Sequence, residues 1–336
     1  MRPFFSIVIP TYNSERTLEY TLKSIRSQKF DQNDLEILVI DGGSTDLTLE
    51  IARKYGAVIL DNPKRLPEYA KAIGAEKATG KYLMRMDSDE EFSYDTQLQD
   101  KKDLLDQYDV KVLISDTIGN GRKELCGVSA VYSNALGDPF SYFIYKVKSS
   151  KYETYKKNVI KENGKNAIMQ FDEGDLLPLA DAATCVMSLD YIREKYPEKY
   201  SSIEFTCSAF DQIISDTHTC GIVRGDNTMH NCSSKFKTYL SKLKFRVINN
   251  LFNKQESGFS SRESGTKILT KRKYLFVLYA AIIPLPILDS IRLAIVYKHW
   301  SFLLHFVYLY YVCFEIFILG IAKKLNFNIS NNNYGK

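Results

Sequence analysis

Phe4-Phe5-Ser6-Ile7-Val8-Ile9-Pro10-Thr11-Tyr12-Asn13-Ser14 opens as a buried apolar strand, meets a proline and passes into a polar loop. Leu18, Leu22 and Ile25 follow at helical spacing. The same order recurs at once: Leu35-Glu36-Ile37-Leu38-Val39-Ile40 runs into Asp41-Gly42-Gly43-Ser44-Thr45-Asp46, then into a helical pattern carrying Leu49, Ile51 and Ala52. A third strand, Ala57-Val58-Ile59-Leu60, comes directly after. Short apolar strands alternating with helices imply right-handed crossovers and an α/β fold, a parallel sheet with helices on both faces. Ligands of such sheets sit beyond the C-terminal ends of the strands.

Asp87-Ser88-Asp89 falls at such an end, after the run Tyr82-Leu83-Met84-Arg85-Met86. Alternate strand residues point the same way, so Asp87 and Asp89 can face one pocket, and hard cations such as Mg²⁺ or Mn²⁺ prefer oxygen ligands of this kind. In an exposed turn the same pair is merely solvated. Asp41-Gly42-Gly43-Ser44 is also a strand end: it offers a carboxylate beside glycines that let backbone pass close to a ligand, or it is a plain turn with Ser44 or Asp46 capping the next helix.

Taken together, Ser6-Ile7-Val8-Ile9-Pro10-Thr11-Tyr12-Asn13, Ile40-Asp41-Gly42-Gly43-Ser44-Thr45-Asp46 and Asp87-Ser88-Asp89 resemble the successive signatures of family 2 glycosyltransferases with the GT-A (Rossmann-like) fold. The likeness is clear from Phe5 to Phe92 and traceable to Arg246. It implies that Thr11 and Asp41 line the nucleotide base and ribose, that Asp87 touches the ribose or diphosphate, and that Asp89 holds Mn²⁺ or Mg²⁺. Where many relatives carry Arg-Asn, this chain has Pro67 to Gly74, and Lys71 or Arg65 is the cation available to the diphosphate. The family places the carboxylate that takes the acceptor's proton at a helix start; Asp211 matches best, with Glu204 as its competitor and Phe210 where a Glu is common. His230 stands at the family's place for a further metal ligand, which favours Mn²⁺ over Mg²⁺; a lone histidine elsewhere is usually structural.

After residue 234 the character changes. Phe236, Tyr239, Leu240, Leu243 and Val247 form one helical stripe, and Lys235, Lys237, Lys242, Lys244 and Arg246 supply charge. This reads as a helix lying on an anionic surface, or as a packed helix with a solvated basic face. Gln255 to Thr270 reads as a linker. Lys271-Arg272-Lys273 precedes an apolar run that meets Pro284 and Pro286 before reaching the roughly 20 residues of a span, so it is expected to be re-entrant or interfacial. A second run, Trp300 to Ala322, is long enough and ends at Lys323-Lys324. Basic residues at both outer ends favour a hairpin with its ends at the cytoplasmic face; a helical oligomerisation surface is the other use. The expected division is therefore a GT-A domain over 1–234, a basic helix and linker over 235–270, membrane-associated helices over 271–324 and a disordered tail over 325–336.

The 336 residues are 45% hydrophobic and 25% charged, which excludes disorder, and the net charge of +5 gathers near the apolar segment, pointing to membrane lipid before nucleic acid. Six cysteines without a Cys-x-x-Cys pair, and no signal before the first strand, suit a reducing compartment. The expected function is an inverting, metal-dependent transfer of sugar from a nucleotide-diphospho-sugar, taken as a UDP-sugar, to a polyprenyl-diphosphate-linked saccharide at the cytoplasmic face of the cell membrane, with a homodimer through the C-terminal helices as a further expectation. A polyprenyl-phosphate sugar synthase, needing no base, and a non-catalytic scaffold of the same fold are the alternatives.

Overall fold

The computed structural model describes residues 2–180, 183–232, 235–252 and 267–327. They form two compact units, one of residues 1–121, 151–173 and 177–231, the other of 122–150, 174–176 and 232–336.

The first unit holds twelve strands among its described residues: β1 (Phe5–Thr11), β2 (Leu35–Asp41), β3 (Val58–Asp61), β4 (Tyr82–Arg85), β5 (Glu90–Phe92), β6 (Val112–Ile114), β7 (Thr117–Asn120), β8 (Val159–Asn163), β9 (Asn166–Gln170), β10 (Cys185–Ser188), β11 (Thr219–Val223) and β12 (Asn227–His230). The main sheet has the order β3-β2-β1-β4-β10-β6-β11-β9-β8, and β5-β12-β7 form a small second sheet. From β3 to β4 all pairing is parallel, as the strand and helix alternation requires. Beyond β4 the expectation of a parallel sheet fails: β10 runs antiparallel to both β4 and β6, and β9 antiparallel to β11 and β8. Here β8 and β9 form a hairpin about a turn at Gly164 (φ +60°), and β10 enters between β4 and β6 from the opposite direction.

Alternation along each strand builds two cores. Ile7, Ile9, Val39 and Met84 pack with Leu18, Leu22 and Ile25 of the Leu18–Arg26 helix on one face. Val8, Leu38, Ile40 and Leu83 pack on the other with Ala70 and Ala75 of the Pro67–Lys77 helix and Phe205, Ala209 and Ile213 of the Ile203–Thr217 helix. The Pro67–Lys77 helix lies so close to β1 that a Cβ built on Gly74 would fall 2.4 Å from Val8 Cγ1. Gly74→Ala therefore overpacks the site and is expected to cost about 1–3 kcal/mol, despite the better helix propensity of alanine; chemical denaturation checks it, and a neutral or stabilised variant would contradict the packing described.

The second unit is helical. Tyr132 and Leu136 of the Ala130–Leu136 helix and Tyr142 of the Pro139–Tyr145 helix share a core with Tyr239, Leu293, Phe302 and Tyr308. Residues 122–150, placed by sequence in the first domain, therefore belong with the C-terminal helices, because Tyr132 and Tyr142 bury their rings in that core. The stripe on the Phe236–Phe252 helix is buried at Tyr239, Leu243 and Val247 against Tyr308, Val312 and Leu319, so that stripe is core rather than a lipid-facing surface. Of the expected linker, residues 255–266 lie outside the described residues, while Lys267 to Thr270 already open the Lys267–Ala281 helix, Ile268 and Leu269 joining the apolar run. Residues 328–336 of the expected tail also lie outside the described residues.

Candidate active site

β1 continues through Pro10 to Thr11, and its register sets Thr11 beside Asp41 at the end of β2. Thr11 Oγ1 (2.9 Å) and Ser44 Oγ (2.5 Å) donate to Asp41 Oδ1, and the backbone amides of Gly43 (2.9 Å) and Ser44 (2.7 Å) donate to Oδ2. Four donors match the acceptor capacity of a carboxylate, so a ligand N–H reaching Asp41 must share an oxygen with one of them. The turn that delivers these amides uses Gly43 at φ +86°. Next to it, Arg65 holds its guanidinium 5.5 Å from the Tyr12 ring centre, and Asn62 donates its amide to Asp41 O at 2.7 Å. Asn62 Oδ1 is buried without a hydrogen-bond partner. Neither the Tyr12–Arg65 contact nor Asn62 was foreseen as part of this corner; Asn62 follows β3 as the polar loops follow β1 and β2, which is the signal that could have found it.

Beyond β4, Ser88 is held by Ser14 Oγ (3.0 Å) and by Thr21 Oγ1, which donates to Ser88 O (3.0 Å). Asp89 O accepts the Asn231 amide at 2.7 Å, and the antiparallel pairing of β5 with β12 sets Glu90 opposite His230. His230 Nε2 thereby comes to 3.2 Å from Asp89 Oδ2, both side chains part-exposed. Two ligands about 2.1–2.2 Å from one octahedral ion, at neighbouring positions, lie about 3 Å apart, so this pair fits one divalent cation. Among the described residues no third His, Cys, Asp or Glu joins them; a cation held by the pair would complete its shell with water or phosphate oxygens.

Glu90, which sequence reasoning passed over, is a buried carboxyl behind the acidic pair. Its Oε2 accepts the Asp87 amide (2.9 Å) and both its oxygens accept the Ala183 amide (3.0 Å each). Burial, then the neighbouring Asp87 carboxylate, pushes it up to about 8. Ala183 and Thr184 both have positive φ (57° and 60°), a conformation costly for a β-branched residue. Ser115 and Thr228 hydroxyls on Ala183 O hold it in place.

Lys71 is buried on the Pro67–Lys77 helix, and that helix packs against the Ile203–Thr217 helix, which carries Asp211. Asp211 does not start its helix. Ser202 caps it, its Oγ accepting the Phe205 amide at 3.1 Å, and Asp211 lies more than two turns further on, half-buried, while Glu204 is exposed in the first turn. The helix is anchored to the sheet by Arg85, whose Nη1 donates to Thr206 O at 2.8 Å and whose guanidinium lies 5.3 Å from the Phe210 ring centre.

The family model described as "Glycosyl transferase family 2" matches residues 6–173, half of the chain and the part that carries Thr11, Asp41, Asp87 and Asp89. The chain belongs to glycosyl transferase family 2. Among its relatives, the poly(ribitol-phosphate) beta-N-acetylglucosaminyltransferase TarS of Staphylococcus aureus is 32% identical over 125 residues, 35% of this chain. The GalNAc(5)-diNAcBac-PP-undecaprenol beta-1,3-glucosyltransferase of Campylobacter jejuni is 34% identical over 98 residues, 26% of this chain. The match spans only 22% of the first relative and 30% of the second. A solved structure, the mannosyltransferase PcManGT of Pyrobaculum calidifontis in complex with GDP-Man and Mn²⁺, superposes with a TM-score of 0.53 at 13% identity, covering 94% of this chain and 88% of that one. The fold of this family 2 chain is a mixed α/β, GT-A-like one.

Proposed function

We propose that this protein transfers a sugar, with inversion, from a UDP-sugar to a saccharide carried on a polyprenyl diphosphate, at the cytoplasmic face of a membrane. The observation that carries the reading is the meeting of Asp89 with His230 at 3.2 Å beyond β4, on the same sheet edge as the Thr11–Asp41 corner of a family 2 chain. The names of the two relatives support an amino-sugar or glucosyl donor and an acceptor on a phosphate-bearing carrier.

In this reading Tyr12, Asp41 and Asn62 receive the base and ribose, Thr11 fixes the Asp41 carboxylate, and Asp87 meets the ribose or diphosphate. Lys71 is the cation proposed for the diphosphate; Arg65 instead stays with Tyr12 at the base corner. Asp89 and His230 would hold a Mn²⁺ or Mg²⁺ ion, which when bound would supply positive charge to the departing diphosphate. Asp211 is the proposed base, with Glu204, the carboxylate in the first turn of that helix, as its competitor; the base takes the proton from the attacking hydroxyl, which makes that oxygen nucleophilic as the bond to the anomeric carbon forms and the bond to the diphosphate breaks. Asp211→Asn keeps the shape and removes the base, so the transfer rate is expected to fall about 10²–10⁴-fold while the affinity for UDP stays within twofold. Radiolabelled transfer to a lipid-linked saccharide, beside UDP binding, measures both; full activity in Asp211→Asn would overturn the role of Asp211, and full activity on a simple lipid phosphate would favour the polyprenyl-phosphate synthase.

A further inference from the structure

The second unit has its polarity reversed. From Tyr274 to Ala322 the sequence carries only four charged residues, Asp289, Arg292, Lys298 and Glu315, and its outward face is apolar across three helices: Tyr274 is 76% exposed, Val277 66%, Leu288 60%, Ile295 70% and Phe317 65%. Most of the polar side chains turn inward: Tyr132 OH lies 2.6 Å from His305 Nδ1, Tyr279 OH donates to Asp289 Oδ2 at 2.9 Å, and His305 and Glu315 are buried. Arg292 is the exception, its side chain 59% exposed with Nε donating to Asp289 Oδ1 at 2.9 Å. Monomers in water rarely keep so continuous an apolar face.

Length alone would let Trp300–Lys324 cross a bilayer. Its packing says otherwise. The Phe236–Phe252 helix covers one side of it from Tyr308 to Leu319, and Lys244 Nζ reaches Glu315, beyond its midpoint, at 3.4 Å. A crossing would carry the exposed Lys244 and Arg246 with it into hydrocarbon, where charge is costly. The preceding segments, Tyr274–Ala281 and Pro284–Val296, meet at a bend of 92°; at 1.5 Å per residue they reach only about 12 and 20 Å, against about 30 Å of hydrocarbon. Basic residues, meanwhile, flank the apolar face, Lys298 at its tip and Lys323 and Lys324 at its end.

We infer that the outward faces of the Lys267–Ala281, Pro284–Val296 and His305–Lys324 helices enter one leaflet of an anionic bilayer and that none of the three crosses it. This rests on the membrane reading above and specifies its form. An apolar face seats at the boundary of headgroups and acyl chains, and the flanking lysines select anionic lipid.

The chain's single tryptophan, Trp300, is 58% exposed at the tip between the last two of these helices, so it reports its own depth. Full-length protein is added to preformed vesicles of phosphatidylcholine with and without a quarter of phosphatidylglycerol. With the anionic vesicles, Trp300 emission shifts to the blue, lipids brominated near the headgroup quench it more than lipids brominated near the chain ends, and iodide added outside still quenches it. Ile295→Glu and Phe317→Glu, both at exposed positions, lose vesicle flotation at least tenfold while keeping their melting temperature and their UDP binding. Quenching by iodide sealed inside the vesicles but not by iodide outside would mean a span and overturn the inference. A protein that binds UDP yet neither shifts nor floats, or that dimerises through this face instead, would overturn the membrane reading itself and leave the transferase site standing.

Discussion

Asp89→Ala is expected to lower the transfer rate by at least about 10²-fold, the scale of one preorganised electrostatic contact to a developing charge, and to take the metal dependence of nucleotide binding with it. The geometry makes Asp89 the less replaceable half of the pair. Its backbone carbonyl is fixed by the Asn231 amide and its neighbour Ser88 by Ser14 and Thr21, so the carboxylate is delivered from a rigid loop. His230 reaches it from the end of β12, the strand paired with β5. His230→Ala should therefore weaken metal use less than Asp89→Ala does, as a titration of activity with Mn²⁺ would show. Equal activity in Asp89→Ala and the parent protein would remove the metal site from the mechanism.

The largest effect on stability is expected at Asp226, one residue before β12. Its carboxylate pairs with Lys101 Nζ and accepts Gln97 Nε2 at 2.7 Å, with the two charged side chains 1% and 0% exposed. Its carbonyl accepts the amides of Asp116 and Thr117. An ion pair so placed is not itself a large source of stability, because both charges have left water. Breaking it is another matter: Asp226→Ala strands the Lys101 charge and should cost about 3–5 kcal/mol. The double variant Lys101→Met with Asp226→Ala should recover most of that loss, since no buried charge is left without a counter-charge. Urea midpoints of the three proteins test this, and a single variant within 1 kcal/mol of the parent would contradict it. Because β12 carries His230, the single variant should also weaken Mn²⁺ use before it unfolds.

What could be read from the sequence followed the range of the interactions. β1 to β4 were legible because each strand is a short apolar run with a local turn at its end, and Asp41 and Asp87-Ser88-Asp89 lie in those turns. The antiparallel half was not: β6 and β10 are three and four residues long, and only pairing with distant strands makes them strands. The place of residues 122–150 was hidden for the same reason, since Tyr132 and Tyr142 look like any aromatics until Tyr308 and His305 meet them. Glu90 is in sequence one more acid after Asp89, and only its burial against the Ala183 amide sets it apart. The stripe on the Phe236–Phe252 helix was read correctly as a stripe, but periodicity does not say whether lipid or protein covers it.

The metal-assisted nucleotide site proposed at the ends of β1, β2 and β4 is tested by the thermal stability of the detergent-purified protein with UDP, GDP, CMP or dTDP, each with and without Mn²⁺, beside Asp89→Ala. A ligand at 100 times its dissociation constant adds about 2.7 kcal/mol to the native state, a shift easily read. Stabilisation by UDP that needs Mn²⁺ and disappears in Asp89→Ala is expected; no stabilisation by any of the four nucleotides, or a UDP shift unchanged by Mn²⁺ and by the substitution, would contradict the site.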